Sequence, residues 1–259
     1  MGLVLTHELR LGRWQDVLAD VERCDVILTD PPYSERTHAG FRSGAAIEQL
    51  HDGFHRNRLA YEALATTEAV QFVERWSPVV GRWSLIFGDN VSTVGWSAAW
   101  GDAGWVTFAP LAWLKRAAAP RMSGDGPCSA VEYVAAARPR RRTDRHHGST
   151  PGYYETMTVR SYLKDNSNTV IGTKDVAGLK RILYDYSRPG DLILDCFAGT
   201  ATVGQACIET GRSYIGAEMD PKTYALGMKR LKGSTPCLPG LEPDRWRDDP
   251  APEQTDLFG

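Results

Sequence analysis

DLILDCFAGTATVGQA (residues 191–206) combines a strand pattern, a glycine turn and a helix pattern in one short stretch. The apolar run ends at Asp195, Gly199 permits a tight turn, and a helix is predicted over 202–211. Another apolar run, SYIGAE (213–218), follows directly. A strand, a helix and a second strand in this order predict two parallel strands with a helical crossover, which is the unit of α/β folds.

Strand and helix patterns alternate through the rest of the chain. The apolar runs predict strands at 3–11, 24–30, 82–89, 105–115 and 131–137. The helical periodicity predicts helices at 60–78, 91–104, 176–186 and 221–231. Two segments, 34–58 and 138–170, have loop-like sequences. We therefore expect an α/β fold with a mostly parallel sheet and helices on both faces.

The composition limits the class of protein. The 259 residues suffice for one large domain, placed at 1–232, and the segment 233–259, rich in Pro and Asp, predicts a flexible tail. Lys and Arg number 30 against 32 Asp and Glu, so binding of nucleic acid requires a local basic patch. Five scattered cysteines and the lack of a membrane-length apolar run favour a cytoplasmic protein with reduced thiols and no membrane partner.

The stretch TDPPY (29–33) is the second strong signal, and it follows the apolar run CDVILT (24–29). Pro31 and Pro32 fix the backbone and lack N–H donors, so the chain leaves the predicted sheet in a stiff turn. This turn holds one acid, Asp30, and one aromatic side chain at the tip of a buried strand.

The glycine turn has the features of a nucleoside-binding site. Glu218 lies 19 residues after Gly199, where a βαβ unit places a carboxylate for ribose hydroxyls. A dinucleotide fingerprint would have a second glycine at Ala201, where the backbone contacts a pyrophosphate. The turn therefore favours a ligand with ribose and adenine but without a pyrophosphate.

Together, the two motifs resemble those of the amino-group DNA methyltransferases. The D-P-P-Y turn comes before the D-x-F-x-G turn, which is the order of the permuted β class. The resemblance implies a Rossmann-like fold and the cofactor S-adenosylmethionine, with no metal. It implies a catalytic turn made of Asp30, Pro31, Pro32 and Tyr33. It implies cofactor contacts from Asp195, Phe197, Ala198, Gly199, Thr200, Thr202 and Glu218, and from Thr173 and Lys174 of IGTKD (171–175), where the family often has T-x-K-P.

Three positions depart from the family pattern. The usual Gly-Asp before the catalytic turn is Gly12-Arg13, which leaves the adenine contact to Trp14 or Asp16. Lys174 is followed by Asp175 where the family has proline, and G-S-G-T is replaced by Gly199-Thr-Ala-Thr202.

The implied chemistry explains the stiff turn. The exocyclic amine of adenine or cytosine is a poor nucleophile, and acceptors at both N–H groups expose its lone pair. The resemblance gives these roles to the Asp30 carboxylate and the Pro31 carbonyl, and Tyr33 stacks on the extruded base. Asp at position 30, where cytosine enzymes more often have Ser, favours N6 of adenine. Cytosine N4, an RNA amine, or a nucleic-acid-binding regulator without turnover remain alternatives.

Two further segments predict partners. RPRRRTDRHH (138–147), in a candidate target-recognition insertion at 138–170, offers DNA contacts from Arg138, Arg140, Arg141, Arg142 and Arg145. The C-terminal QTDLF resembles the peptide that binds the bacterial sliding clamp, through Gln254, Leu257 and Phe258. The target sequence, the oligomeric state and the existence of a partner restriction enzyme stay open.

Overall fold

The computed structural model describes residues 4–33, 66–116, 118, 126–140, 150–156 and 173–238. Within these residues, nine strands form one sheet and six helices cover it. The strands are β1 (His7–Leu11), β2 (Cys24–Thr29), β3 (Val80–Gly88), β4 (Val106–Thr107), β5 (Leu111–Lys115), β6 (Val131–Arg138), β7 (Tyr153–Thr156), β8 (Leu192–Asp195) and β9 (Ser213–Glu218). The helices are α1 (Trp14–Val17), α2 (Thr66–Trp76), α3 (Ser92–Asp102), α4 (Val176–Tyr186), α5 (Thr202–Thr210) and α6 (Pro221–Gly233).

The order of the strands sets one edge of the sheet apart. The order is β1-β9-β8-β2-β3-β6-β5-β7, and β4 also pairs with β6. Every pairing is parallel except the three pairings of β6, with β3, β4 and β5. Among the described strands, β6 alone therefore runs in the opposite direction. Its first residues lie at the edge where the other strands end.

Two large apolar layers hold the first five helices against the sheet, and a smaller cluster of Leu9, Ala198 and Ala201 packs against α6. Along β2, Val26 and Leu28 face a layer containing α4 and α5, whereas Ile27 faces a layer containing α1, α2 and α3. This alternation follows from the two-residue period of a strand, and all three side chains have no exposed surface. Burial on both faces explains why CDVILT reads as a continuous apolar run instead of an alternating one. The predicted α/β fold, with helices on both faces, is confirmed.

Two sequence predictions about the strands were wrong. The segment 138–170 was predicted to be loop, but Tyr153–Thr156 forms β7 and pairs with β5. The strand pattern in the sequence is only four residues long, although every second side chain, Tyr154 and Thr156, is buried. The single strand predicted at 105–115 is divided into β4 and β5, because Pro110 cannot donate to a ladder.

The other predicted elements agree with the structure to within a few residues. The helix predicted at 60–78 is seen as Thr66–Trp76, and residues 60–65 lie outside the described part of the chain. The last helix continues to Gly233, and the Cys237 N–H then donates to the Ile208 carbonyl at 3.0 Å. Residues 239–259, which hold most of the predicted tail, are not among those described. No helix in the described ranges is long and apolar enough to cross a membrane.

Candidate active site

Several ionisable side chains lie at the edge of the sheet where the parallel strands end, which we call the active edge. Asp30 directly follows β2, Asp195 ends β8 and Glu218 ends β9. Lys115 ends β5, and Glu132 is the second residue of the reversed strand β6. Ligands of open α/β sheets bind outside the carboxyl ends of the strands, so the position of this edge favours a binding site.

Asp30 is held by a lysine from a distant part of the chain. Lys174 Nζ lies 2.5 Å from Asp30 Oδ2 and 3.0 Å from the Tyr33 hydroxyl. The other carboxylate oxygen, Oδ1, is buried and accepts no hydrogen bond from any described residue. The Lys174 side chain is 9% exposed, whereas that of Asp30 is 26% exposed, so the pair is open on the Asp30 side. A buried acceptor without a donor is costly and points to a missing partner.

Lys174 also contacts a second acid, which continues a chain of alternating charges. Its Nζ lies 3.2 Å from Glu132 Oε2, and Glu132 Oε1 accepts from Lys115 Nζ at 3.0 Å. From the sequence, Lys174 was predicted only as a cofactor contact, and Glu132 and Lys115 were not predicted as site residues. The strand register explains the contact between Lys115 and Glu132, because Trp113 of β5 pairs with Glu132 and Lys115 lies two residues further along the same strand.

Burial and neighbouring charges shift the pKa values of Asp30, Lys174 and Glu132. Burial raises the pKa of Asp30, Lys174 opposes this effect, and the negative charge of Glu132 adds to it. Burial alone lowers the pKa of Lys174, but attraction to Asp30, Tyr33 and Glu132 outweighs it, and the net direction is upward. Burial also raises the pKa of Glu132, yet Lys174 and Lys115 bring it down to about 2. Lys174 and Lys115 thus face an ionised Glu132.

The residue after Lys174 explains one departure from the family pattern. Asp175 is the N-cap of α4, and its carboxylate accepts from the N–H groups of Ala177 and Gly178, both at 3.2 Å. Proline has no side-chain acceptor, so Asp175 fixes the start of α4 in a different way. Lys174 is therefore placed by the beginning of a capped helix.

A hydrogen-bonded link joins the catalytic turn to the glycine turn. The Thr29 hydroxyl donates to Asp195 Oδ1 at 2.7 Å, and the Phe197 N–H donates to Thr29 Oγ1 at 3.1 Å. Asp195 is 1% exposed, and burial raises its pKa to about 7 against the hydrogen bonds from Thr29 and Phe197. Asp195 therefore supports both turns from inside the protein.

The glycine turn is closed by its own backbone and by β9. The Ala198 N–H donates to the Ala217 carbonyl, and the Gly199 N–H donates to Glu218 Oε2, both at 2.9 Å. Gly199 has φ +52°, and a Cβ there would meet no atom within 4 Å. Ala201 follows with φ +55°, which is unusual for a residue with a Cβ.

These residues fit the nucleoside part of the implied cofactor. Open space lies in front of Gly199, so a ligand can approach the backbone there. Each Glu218 oxygen holds one backbone N–H, from Gly199 or Asp220, which leaves further lone pairs for two hydroxyl groups. Thr200 and Thr202 are buried, and the Thr200 hydroxyl accepts from Arg230 at 3.4 Å, so these two side chains shape the turn.

The two residues that were offered for the missing adenine contact differ in position. Trp14 is buried and packs edge-on against Phe72, with ring centroids 5.3 Å apart, so it belongs to the core. Asp16 is exposed in the first turn of α1. Arg13, where the family has its acid, lies 3.9 Å from Glu68. This leaves Asp16 as the accessible alternative of the two.

The described part of the arginine run lies far from Asp30. Arg138 ends β6, six residues and about 20 Å along the strand from Glu132. Its guanidinium packs over the Phe108 ring, with 5.6 Å to the ring centroid, and Arg140 is exposed. Three more arginines (Arg141, Arg142 and Arg145) and the clamp-like residues (Gln254, Leu257 and Phe258) lie outside the described residues. The roles of these residues stay predictions.

Potential metal ligands are scattered: the described residues contain no cluster of three or more His, Cys, Asp or Glu side chains that could hold a metal ion.

Comparisons with known proteins agree with this architecture. The model of the N6_N4_Mtase family, described as DNA methylase, matches residues 24–229. DNA adenine methyltransferase YhdJ of Escherichia coli (strain K12) is 37% identical over 86 residues, which are 33% of this chain and 29% of that protein. The crystal structure of the M1.HpyAVI–SAM complex has a TM-score of 0.66 at 18% identity, covering 86% of this chain and 98% of that one. PvuII DNA methyltransferase (cytosine-N4-specific) has a TM-score of 0.63 at 13% identity, covering 89% and 88%.

Proposed function

The chain belongs to the N6_N4_Mtase family of DNA methylases, and we propose that it transfers a methyl group from S-adenosylmethionine to the N6 amine of adenine in DNA. The observation that carries this proposal is the buried Asp30 Oδ1, which accepts no hydrogen bond from the described residues although it lies at the active edge. An exocyclic N–H group is the donor that this oxygen lacks. The position of the D-P-P-Y turn before the glycine turn supports the β class.

Asp30 and Pro31 act on the target amine. The lone pair of this nitrogen is delocalised into the ring, which makes it a weak nucleophile. The Asp30 carboxylate accepts one N–H and the Pro31 carbonyl accepts the other, so the nitrogen becomes tetrahedral and its lone pair is exposed. Both acceptors are fixed before the substrate arrives, because Lys174 holds Asp30 and two prolines hold the backbone.

Tyr33 receives the base after it has left the duplex. Its hydroxyl is fixed by Lys174 at 3.0 Å, and its ring packs partly against the core layer of α4. A ring held at both its polar end and its apolar side is a rigid platform for stacking.

The glycine turn holds the cofactor. Glu218 binds the ribose hydroxyls, the backbone around Gly199 lets the nucleoside approach, and Asp195 keeps this turn in contact with β2. When it is bound, S-adenosylmethionine supplies an electrophilic sulfonium methyl group. The link from Asp195 through Thr29 sets the distance between the two turns.

Cytosine N4 is the second candidate target, because its exocyclic amine presents the same two N–H groups. The cytosine-N4-specific enzyme of PvuII shares the fold, and the family name covers both amines. Adenine is preferred because the turn carries Asp30, whereas cytosine enzymes more often have Ser there, and because YhdJ is named an adenine methyltransferase.

Nucleoside analysis tests the proposal directly. Purified protein is incubated with cofactor labelled in its methyl group and with unmethylated DNA of mixed sequence, and the product is digested to nucleosides. Label in N6-methyl-2′-deoxyadenosine supports the proposal, and label in N4-methyl-2′-deoxycytidine selects the second candidate. A DNA duplex without adenine serves as the matched control. Cofactor binding without any label in DNA would contradict both candidates.

A further inference from the structure

The four charges at the active edge form a balanced row: Lys115, Glu132, Lys174 and Asp30. The successive contacts are 3.0 Å, 3.2 Å and 2.5 Å long. The side chains of Lys115 and Glu132 are only 22% and 19% exposed. Two cations and two anions therefore alternate at the edge of the core, and three separate strands and a helix start contribute them.

Glu132 and Asp30 compete for one ammonium group. Lys174 Nζ contacts both carboxylates and the Tyr33 hydroxyl, and the Phe87 ring lies 5.0 Å from it. An ammonium group has three donors, and these three oxygens account for all of them. Its position over Asp30 is therefore set by the balance of its two acidic neighbours.

We propose that Glu132 is a positioning residue for methyl transfer: through Lys174 it fixes the orientation and the charge of Asp30, so that Oδ1 faces the target amine. The inference rests on the proposed function of Asp30. Lys115 neutralises the outer oxygen of Glu132 and limits how strongly Glu132 draws Lys174 away from Asp30.

The proposal predicts shifts of opposite sign for the two outer residues. Removing the negative charge of Glu132 leaves Lys174 entirely to Asp30, so the Asp30 carboxyl becomes more acidic. Removing the positive charge of Lys115 strengthens the pull of Glu132 on Lys174, so the Asp30 carboxyl becomes less acidic. A residue that only supports the fold would reduce activity without shifting its pH dependence in either direction.

Other ionisable groups around Asp30 are constant in both variants. They are Tyr33 on the same turn, Asp195 on β8, Asp89 after β3 and Asp175 before α4. Asp89 and Asp175 are engaged with backbone N–H groups at helix starts, and Asp195 is bonded to Thr29. The difference between the two variants therefore reports the row of four charges.

The experiment measures kcat/KM against pH for wild type, Glu132→Gln and Lys115→Met. The acidic midpoint should fall by on the order of 1 pH unit in Glu132→Gln, a tenfold change in proton affinity, and should rise in Lys115→Met. In Glu132→Gln, kcat at pH 8 should fall several-fold with little change in KM for DNA. Equal midpoints in all three proteins, or shifts in the same direction, would overturn the proposal.

A matched control and a second readout separate this inference from the proposed function. Glu209→Gln breaks the ion pair of Glu209 with Lys180 (2.7 Å) on the helices and should leave the midpoint unchanged. The ¹³C shift of the Asp30 carboxyl carbon, identified by its loss in Asp30→Asn, is followed against pH without cofactor or DNA. If the two variants shift this titration oppositely but no protein methylates DNA, the proposed function fails and the charge relation stands. If wild type methylates adenine but the titrations coincide, only the role of Glu132 fails.

Discussion

The two turns at the active edge are held in place in different ways. The glycine turn is closed mainly by contacts within its own βαβ unit: the Ala198 N–H donates to the Ala217 carbonyl, and the Gly199 N–H donates to the Glu218 carboxylate. The catalytic turn depends on Lys174, which lies 144 positions from Asp30 along the chain. The glycine turn is thus held mainly within a single βαβ unit, with one link to Thr29 through Asp195, whereas the catalytic turn depends on a charged side chain from a distant element.

This difference separates binding from chemistry. A turn held largely by contacts within one βαβ unit is insensitive to most substitutions in the rest of the chain, which suits a binding site for a cofactor. A turn held by buried charges is sensitive to each partner, because an unpaired buried charge is costly. We therefore expect substitutions at the catalytic turn to affect turnover, and those at the glycine turn to affect affinity or stability.

The largest effect is expected at Asp30. Asp30→Ala removes a fixed acceptor for the target amine and leaves Lys174 with Glu132 and the Tyr33 hydroxyl, so turnover should fall by about 10²–10³-fold. Cofactor affinity, measured by calorimetry, should stay close to that of wild type. Turnover at the wild-type rate in a folded Asp30→Ala protein would remove Asp30 from the mechanism.

A smaller effect, on stability, is expected at Asp195, which links the turns. Burial raises its pKa from 3.8 to about 7, so between these values the folded protein binds a proton that the unfolded chain has released. Stability from this group is therefore complete below about pH 4 and is lost as the pH rises to 7. Between pH 5 and pH 7, the unfolding free energy of wild type should therefore fall by about 2 kcal/mol more than that of Asp195→Asn.

Denaturant titrations at the two pH values measure this difference. Asp102→Asn, at the exposed end of α3, is the control and should follow wild type. An Asp195→Asn protein with the same pH dependence as wild type would show that the carboxyl is ionised throughout.

Glu218 tests the cofactor side of the comparison. Glu218→Ala removes the acceptor for the ribose hydroxyls and frees the Gly199 N–H, so the dissociation constant for S-adenosylmethionine should rise at least about tenfold. DNA binding should change little. Glu209→Ala, at the other end of α5, is the matched control, and equal affinities in the two variants would exclude the ribose contact.

The smallest effect is expected at Ala201. Its left-handed backbone costs about 1–2 kcal/mol, which Ala201→Gly would relieve. The same change removes a fully buried methyl group worth about 0.8 kcal/mol and increases the freedom of the unfolded chain. The two effects nearly cancel, so the unfolding free energy should change by less than about 1 kcal/mol.

Ala206→Gly supplies the comparison for Ala201. Ala206 is equally buried and lies inside α5, the helix that Ala201 precedes, where the backbone is ordinary helix, so its loss has no strain to relieve. It should destabilise the protein by about 2 kcal/mol. Equal losses in the two glycine variants would mean that Ala201 stores no strain.

The same contrast decides how much of the site could be predicted from the sequence. The glycine turn and the D-P-P-Y turn are local, and their strands, β2 and β8, were found as apolar runs. Glu132 was not predicted as a site residue. It lies at the active edge because β6 runs antiparallel to β3, and the local sequence of β6 does not show this direction. Lys174 was predicted for the cofactor alone, because its contact with Asp30 depends on the packing of α4. The short strand β7 escaped detection because four residues give too weak a pattern.

The pairing of the first strand with the last has a consequence for biosynthesis. β1 has only β9 as its neighbour among the described strands, so the edge of the sheet cannot close until the chain has been synthesised past Glu218. Lys174 likewise follows Asp30 by 144 positions, which take roughly 7 to 30 s to translate. A nascent chain that has emerged only as far as β7 already carries the catalytic turn but lacks both Lys174 and the glycine turn. The proposed methyl transfer therefore requires that the chain has been synthesised past Glu218.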